Sequence, residues 1–343
     1  GCTPEGEMQT TGNRGIAIGS YSNIPHTTTD LTIGGSRALG EGNIIGNCST
    51  AAIYSGANEN NNTTDTIVFG AVIAGNTIGW HPILETAMPN QSGVWIYHST
   101  FPGAPNSELY SEQITIGGPD ADRGNIIAHS DGTAVFLEDD GVRVSMRRNR
   151  FFCNENGIVF LESPNFQKAP PVIQEADIFH ISGTSLPGDT VEVLINDTTS
   201  CPTAGCQGSI FLGEVIADDN GEWDLGSFPF PLFGGEQVTA IATNNHPVSS
   251  PFAACKTVIC PESFADLNAT RCANDSLVLQ DQVFTVDHPS GEVVLADSSA
   301  IGCDSIISVN INFLPLGVGN FSGTYRSNES ISIGNTTFDT DFP

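Results

Sequence analysis

The chain has 343 residues, of which 39% are hydrophobic, and it is long enough to form two or three separate cores. Thirty-nine acidic residues against eleven basic ones give a net charge of −28, which argues against binding to nucleic acids or to anionic membrane surfaces. No apolar run reaches the roughly 18 residues that a membrane helix needs, so we expect no membrane insertion.

The nine cysteines indicate an oxidising compartment, and we expect an extracellular protein. Cys201 and Cys206 form a close pair in CPTAGC, and we expect both to be disulfide-bonded, because no histidines stand around them at metal-ligand spacing. An odd count leaves one thiol free or bonded to another chain or segment. The sequence leaves the pairing of five further cysteines open: Cys2, Cys48, Cys153, Cys255 and Cys260.

The first region, residues 1–168, repeats itself. Residues 31–57 return in nearly the same form at 114–140, with TIGG and GNII in both copies. Short Ile- and Val-rich stretches alternate with Gly and Asn turns, without a helical period or two-residue hairpin signals. This pattern predicts an all-β chain that coils and stacks on itself. Each coil would bury Ile and Val, while Asn in the turns would bond to its neighbours.

Several motifs of this region resemble the right-handed parallel β-helix repeats of bacterial surface and secreted proteins: TIGG at 32–35 and 115–118, GNIIGN at 42–47, GNTIG at 75–79, GNIIA at 124–128 and NENGIVF at 154–160. The resemblance covers about half of the chain and implies a right-handed parallel β-helix. That fold carries lyases, hydrolases and adhesins alike, so the resemblance implies no single activity.

The second region, residues 169–254, changes its pattern after Pro170 and Pro171. Apolar and polar residues alternate over strands that turns interrupt every eight to twelve positions, which predicts a β-sandwich. The pattern I-x-G-x-x-x-P-G-x-x-V-x-V, followed by A-D-x-x-G-x-W, resembles the immunoglobulin-like repeats of large bacterial surface proteins. The resemblance implies an immunoglobulin-like sandwich, with Trp223 as its core aromatic residue.

The third region, residues 255–315, resembles the cysteine-bearing GCDSI repeats of large exported proteins from bacteria with type IX secretion. Cys272 and Cys303 stand where that repeat has its two cysteines, so the resemblance implies a disulfide between them. The class we expect is therefore all-β: a right-handed parallel β-helix, then an immunoglobulin-like β-sandwich, then small disulfide-stapled β-modules.

The fourth region, residues 316–343, reads as the first half of a second such module. Residues 271–289 align with residues 325–343 without a gap, and Arg326 takes the place of Cys272. Half a module leaves strands and apolar side chains without a partner face, which is costly. We therefore expect either a longer parent chain or self-association, in which another subunit completes the fold.

Catalytic motifs are weak. VWIYH at 94–98 is similar to the V-W-I-D-H signature of pectate lyases, but Tyr97 replaces its Asp and no R-x-P-x-x-R follows. The alternative is an ordinary strand with Val94 and Ile96 inward, and with Trp95 and Tyr97 outward.

The acids Glu138, Asp139 and Asp140 could supply the paired carboxylates of glycoside hydrolysis. Neighbouring strand residues point to opposite faces, so only Glu138 and Asp140 share a side. A solvated acidic edge, or pairing with nearby arginines, is favoured instead. No catalytic residue is assigned.

Four of the eleven cations lie within eight residues: Arg143, Arg147, Arg148 and Arg150. Such a row could contact sulfated or uronic glycans, or other anions, through bidentate hydrogen bonds. The favoured alternative is a set of internal ion pairs with Glu138, Asp139 and Asp140 one coil away.

We expect no cofactor and assign no metal ligand, although Asp218, Asp219 and Asn220 could bind a structural calcium ion; an ordinary Asp-Asn-Gly turn is the alternative. The resemblance to type IX cargo also implies O-glycosylation in Asp-Ser/Thr-aliphatic triplets. Because Asp-Thr and Asp-Ser are also common at strand starts, that alternative stays open. The residues in question are Thr66, Thr190, Ser276 and Ser305.

These features favour a non-enzymatic extracellular structural protein, either a segment of a large cell-surface adhesin or the subunit of a fibre, because no catalytic set converges. The alternatives are a secreted carbohydrate-active β-helix enzyme, acting as a polysaccharide lyase or glycosidase, and a glycan-binding module without turnover.

Overall fold

The computed structural model describes residues 12–18, 26–56, 66–97, 111–139, 142–197, 201, 204–296, 303–324 and 326–339. The protein is all-β and divides into two compact units. Unit 1 contains residues 1–261 and 299–303, and unit 2 contains residues 262–298 and 304–343. No helix among the described residues has the length and apolar character needed to cross a membrane.

The first part of unit 1, here called the parallel region, contains short strands. In chain order they are β1 (Arg14–Ile18), β2 (His26–Thr29), β3 (Thr32–Gly34), β4 (Ile44–Ile45), β5 (Ala51–Ser55), β6 (Thr66–Phe69), β7 (Val72–Ala74), β8 (Thr77–Ile78), β9 (Trp80–His81), β10 (Thr86–Ala87), β11 (Asn90–Tyr97), β12 (Ser111–Gly117), β13 (Ile126–Ala128), β14 (Ser130–Glu138), β15 (Val142–Arg147), β16 (Arg150–Phe152) and β17 (Asn156–Leu161).

Three parallel sheets organise this region. One has the order β1-β5-β11-β14-β17, and a second has the order β4-β8-β13-β16. In the third, β3 pairs with β7, β7 with β12, and β12 with β15. Strand numbers rise steadily across each of these series, so the chain adds one strand to every sheet before it returns to the first.

The repeated phrases occupy successive levels of the same sheets, as the sequence predicts. Ile45 pairs in register with Ile78, and Ile78 pairs with Ile127, so GNTIG lies between the two GNII copies. Likewise Ile33 and Ile116 lie on either side of Ile73. All six side chains are buried in one apolar cluster. Isoleucines of successive levels thus pack in columns. Removing methyl groups from such a column would be costly, which explains why Ile and Val recur in each repeat.

The first glycine of each TIGG motif has a structural role. Gly34 and Gly117 have φ values of +83° and +86°, and a Cβ atom at either would collide with the backbone carbonyl of Ala74 or Arg147. Only glycine combines this left-handed backbone with so close an approach between neighbouring levels.

Buried asparagines link the levels. The backbone N–H and the side-chain amide of Asn76 donate to Oδ1 of Asn125, at 2.9 and 3.1 Å, and Asn125 donates to Oδ1 of Asn149 in the same way. Asn43 makes the matching bonds to Asn76. Each side chain thereby satisfies backbone groups that the tight turns leave without a strand partner. The predicted hydrogen bonding between Asn turns is confirmed.

The second part of unit 1, the antiparallel region, follows a short turn at Pro164–Gln167. Its strands are β18 (Val172–Ala176), β19 (Ile181–Thr184), β20 (Thr190–Asn196), β21 (Ile210–Ile216), β22 (Glu222–Leu225), β23 (Gln237–Thr243) and β24 (Lys256–Thr257). They form two sheets, β18-β19-β22 and β21-β20-β23-β24, around an apolar core. Trp223 is 3% exposed and belongs to this core, as predicted.

The two regions of unit 1 pack directly against each other. Leu194 and Ile241 of the antiparallel region belong to the apolar cluster of the parallel region. Ser249 donates its N–H to the carbonyl of Val144 at 3.0 Å and accepts a 2.7 Å bond from the N–H of Met146. The edge of β15 is therefore continued by hydrogen bonds from the antiparallel region.

Three disulfides connect Cys153 to Cys201, Cys206 to Cys255, and Cys260 to Cys303. They indicate an oxidising environment. The close pair in CPTAGC is thus divided between two bridges.

The predicted bond between Cys272 and Cys303 is wrong, because Cys303 is bonded to Cys260. Cys272 is exposed and ends a strand, where it pairs with Leu314. That pair lies at the opposite end of the two strands from Ser305, which follows Cys303 by two residues. Cys48 is buried, and its Sγ lies 3.6 Å from the carbonyl oxygen of Gly46.

Unit 2 contains β25 (Ser263–Cys272), β26 (Leu277–Leu279), β27 (Gln282–Phe284), β28 (Ser290–Leu295), β29 (Ser305–Leu314), β30 (Ile331–Ile333) and β31 (Thr336–Phe338). β29 lies between β25, which is parallel to it, and β28, which is antiparallel. The hairpin β26–β27 contributes Phe284 to a small core with Val293, Val309 and Ile311. β30 and β31 form a separate hairpin.

Candidate functional site

The arginine row lies on β15 and in the turn after it. Val142, Val144 and Met146 point into the core, which leaves Arg143 and Arg147 on the opposite side, as the alternation predicts. Arg148 has a φ of +59°, so the strand ends there and its side chain points to the same side as that of Arg147.

Two carboxylates of the antiparallel region bind these arginines. Glu192 on β20 lies 3.2 Å from Nε of Arg147, and Glu214 on β21 lies 2.6 Å from Nη2 of Arg147 and 3.2 Å from Nη2 of Arg148. Glu192 also accepts the backbone N–H of Arg148 at 3.0 Å. The Arg148 guanidinium stacks 3.7 Å above the ring of Phe211. We call Arg147, Arg148, Glu192 and Glu214 the interface cluster.

The other two arginines of the row also have partners inside the chain. Arg150 donates from Nε to the carbonyl of Ser209 at 2.8 Å, and Arg143 lies 3.6 Å above the ring of Phe166. Ion pairing within the chain was the favoured alternative, and for Arg147 and Arg148 the acids that pair are Glu192 and Glu214. Contact of the row with glycans or other anions stays a prediction.

Burial governs the charge of the interface cluster. The side chain of Glu192 is 2% exposed, and its removal from water raises its pKa, an effect that the two arginines and the Arg148 N–H only partly offset. Nearby, burial lowers the pKa of Arg37, and the positive charge of Arg150 lowers it further. Arg37 donates to the carbonyl of Gly124 at 2.6 Å, so it links two levels of the parallel region that lie on either side of the level of GNTIG.

The VWIYH segment forms an ordinary strand. Val94 and Ile96 are buried, whereas Trp95 and Tyr97 point outward and are half-buried, as predicted. Trp95 packs edge-on against Tyr54 at 5.2 Å. It also donates from Nε1 to Glu138 at 3.0 Å.

The acidic edge does not bring together a catalytic pair within the described residues. The Glu138 carboxylate accepts the Trp95 indole, and Asp139, with a φ of +85°, donates its backbone N–H to Leu161. Asp140 lies outside the described residues. Glu138 and Trp95 therefore belong to an outward-facing surface of polar and aromatic side chains.

One cluster among the described residues has metal-ligand spacing, and it comprises His129, Cys153 and Cys201. The two sulfurs are joined in a disulfide, so they offer no thiolate to a metal ion. His129 stacks on Trp80 at 5.3 Å, and burial lowers its pKa.

The ADDNGEW segment forms a turn closed by its own first acid. Asp218 Oδ1 accepts the backbone N–H groups of Asn220 and Glu222, both at 2.8 Å. These bonds, with that of Glu222 foremost, lower the pKa of Asp218. The geometry is that of the ordinary turn named as the alternative to calcium binding.

The predicted O-glycosylation residues all lie at strand starts. Thr66, Thr190 and Ser305 are the first residues of β6, β20 and β29, and Ser276 immediately precedes β26. Ser276 is exposed, and Thr190 and Ser305 are half-buried. The side chain of Thr66 lies outside the described part of the structure. Asp189, the acid before Thr190, is buried in an ion pair. The placement agrees with the strand-start alternative, and glycosylation stays a prediction.

Sequence reasoning missed two buried polar contacts. Lys168 and Asp189 form a buried ion pair in which Nζ lies 2.8 Å from both carboxylate oxygens. Lys168 is one of only two lysines, and it lies just before Pro170, where the sequence pattern changes. This position was a signal that Lys168 has a role between the two regions. The side chain of Gln207 binds Asn154 through both its oxygen and its nitrogen, at 2.8 and 2.6 Å, and no local pattern marked it.

No protein-family model matches the chain, and no curated protein matches it significantly.

Proposed function

We propose that the protein is a non-enzymatic extracellular structural protein, a segment of a large surface adhesin or the subunit of an extracellular fibre. In this proposal the parallel region is a right-handed parallel β-helix, the antiparallel region is an immunoglobulin-like sandwich, and unit 2 holds tandem GCDSI-type modules. The role of such a protein is mechanical: it is a stiff spacer.

The observation that carries the proposal is the internal use of polar groups. In the part of the chain that the structure describes, the notable clusters of Arg, Glu, Asn and Lys bond to one another or to backbone groups. The interface cluster joins the two regions of unit 1, and the Asn76–Asn125–Asn149 series joins successive levels. An active site would need such groups to converge on an open cleft.

The three disulfides give further support. Cys153–Cys201 links β16 to the segment after β20, so it connects the parallel and antiparallel regions covalently. A protein that must resist pulling or local unfolding outside the cell gains from such cross-links. A net charge of −28 keeps an exposed surface soluble.

Electron microscopy of the purified native material tests the proposal. Extended particles of uniform width, either single or joined end to end into fibres, are the expected result. Compact particles without a long axis would contradict a spacer. Fields that contain only isolated short particles would exclude the fibre version and leave the adhesin segment.

Activity assays test the alternative from a different class. The chain, together with its Arg147→Ala and Glu138→Ala variants, is incubated with a panel of uronic and sulfated polysaccharides. We expect no depolymerisation by any of the three proteins. Turnover by the unaltered chain that is lost in one of the variants would replace the structural proposal with a carbohydrate-active enzyme.

A further inference from the structure

The three disulfides follow one another along the chain without overlap. Each one closes its loop before the next begins, and the loops have sequence separations of 48, 49 and 43. Five residue steps separate each loop from the next, because both intervening segments have the form C-x-x-x-x-C. These two segments, here called the spacers, are CPTAGC at 201–206 and CKTVIC at 255–260. Each spacer therefore joins two different bridges in series.

The bridges and spacers create a covalent path that is much shorter than the chain. The Cα–Cα distances across the bridges are 5.3, 5.6 and 5.4 Å, and each spacer spans at most about 18 Å when fully extended. The path from Cys153 to Cys303 is therefore at most about 50 Å long. Without the bridges, the same 150 residue steps would extend to about 540 Å.

The closed loops contain most of the antiparallel region. The first loop includes β17 to β20, and the second includes β21 to β23. The third includes β25 to β28 of unit 2. When the chain is pulled from outside such a loop, the disulfide at its base carries the tension and the backbone inside it carries none. The packing of these strands is therefore not loaded, whereas β29 lies beyond the last bridge and is loaded.

The second spacer lies in the antiparallel region as an extended segment. Two of its residues form β24, which pairs with β23. Val258 is buried and donates its N–H to the carbonyl of Glu236 at 2.7 Å, and Ile259 donates its N–H to the carbonyl of Ala176 at 2.9 Å. A β-strand is already close to the full extension of a polypeptide, so this spacer gains little length under tension.

We propose that the three bridges and the two spacers form a covalent load path that limits the length of the molecule between Cys153 and Cys303. The inference rests on the proposed role as a mechanical spacer, and it identifies the device that prevents that spacer from lengthening. Tension loads the parallel region, the bridges and the spacers. The antiparallel region stays folded, because forced unfolding depends on the opening rate of a loaded element and its loops bear no load.

Single-molecule pulling of the full oxidised chain, held at its two ends, tests the load path. The contour length at full extension depends on the covalent path alone, so it can be measured even on a variant that folds poorly. Replacement of Cys206 and Cys255 by alanine should add about 170 Å, and replacement of Cys260 and Cys303 should add about 150 Å. The matched control is Cys272→Ala, which should add no length, because Cys272 is not disulfide-bonded.

Two variants that keep every cysteine test whether the antiparallel region carries load. Asn125 lies in the parallel region before the first bridge, whereas Lys168 lies inside the first loop. In the oxidised chain, Asn125→Ala should lower the force at which the parallel region unfolds, and Lys168→Met should leave the unfolding forces of the parent unchanged. In a chain whose Cys153 and Cys201 are replaced by alanine, Lys168 is on the load path, and Lys168→Met should then lower an unfolding force.

The outcomes separate the load path from the proposed function. A contour length that stays the same when a bridged pair is replaced overturns the inference, and so does a lower unfolding force for Lys168→Met in the oxidised chain. Extended particles in the microscope would still support the structural role in either case. Added lengths of about 170 and 150 Å, with no effect of Lys168→Met, support the load path even where the particles are compact.

Discussion

Replacement of Asn125 by alanine tests whether the asparagine series stabilises the stacked levels. The Asn125 side chain accepts two hydrogen bonds from Asn76, at 2.9 and 3.1 Å, and donates to the carbonyl of Ile73 at 2.7 Å and to Asn149 at 2.9 Å. Asn125 is fully buried. Its removal leaves the Asn76 N–H in the interior without its acceptor.

An orphaned buried donor costs about 1–3 kcal/mol, and each further lost bond costs about 1 kcal/mol, so we expect Asn125→Ala to lower the free energy of unfolding by about 3–4 kcal/mol. Urea titration, followed by tryptophan fluorescence, gives the difference between variant and parent. The matched control is Asn156→Ala, because Asn156 is exposed and makes a single 3.3 Å bond to the carbonyl of Gly132. Equal effects of the two substitutions, both below about 1 kcal/mol, would refute the reasoning.

Three further predictions concern unit 1. Lys168→Met should lower the free energy of unfolding by about 3–5 kcal/mol, because the buried Asp189 charge loses its cation; adding Asp189→Asn, which removes the charge and still accepts from Ser185 and Leu186, should recover part of that loss in the same urea assay. Since burial raises the Glu192 pKa, protonation favours the folded state, so stability from this group is full below the usual glutamate pKa and is lost as pH rises through the raised value. The free energy of unfolding of the parent, relative to that of Glu192→Gln and measured from pH 4 upward, should therefore fall as pH rises. A difference that does not change with pH contradicts the reasoning. Replacement of Cys206 and Cys255 by alanine, which opens a loop of separation 49, should cost about 4 kcal/mol by loop entropy, and unchanged urea midpoints would show that the bridge does not stabilise the fold.

The levels of the parallel region could be predicted because they depend on local repetition. Each copy of GNII must present its isoleucines to the copy one level away, so the phrase itself records the packing of Ile45, Ile78 and Ile127. The second hairpin of unit 2 could be predicted for the same reason. Its turn and its strand pairs repeat those of the first hairpin at fixed spacing, down to the pairing of Ile331 with Phe338.

The partners of the charged residues could not be predicted, because they depend on how distant segments pack. Glu192 lies 45 residues after Arg147 in a region with a different pattern, whereas Glu138 lies nine residues before it and therefore seemed the natural partner. The cysteines posed the same problem. The resemblance to the GCDSI repeats implied Cys272 as the partner of Cys303, but tertiary packing brings Cys260 to it.

The contact between Gln207 and Asn154 sets a limit on growth of the parallel region. Asn76, Asn125, Asn149 and Asn154 each accept a backbone N–H of the level before them, so a bare last level would leave such backbone groups open to another copy. Gln207 occupies that position from within the chain and offers both a donor and an acceptor, as one more asparagine would. Gln207 therefore covers the last level of the parallel region at Asn154. A neighbouring copy that lengthened the molecule would have to add at a different surface.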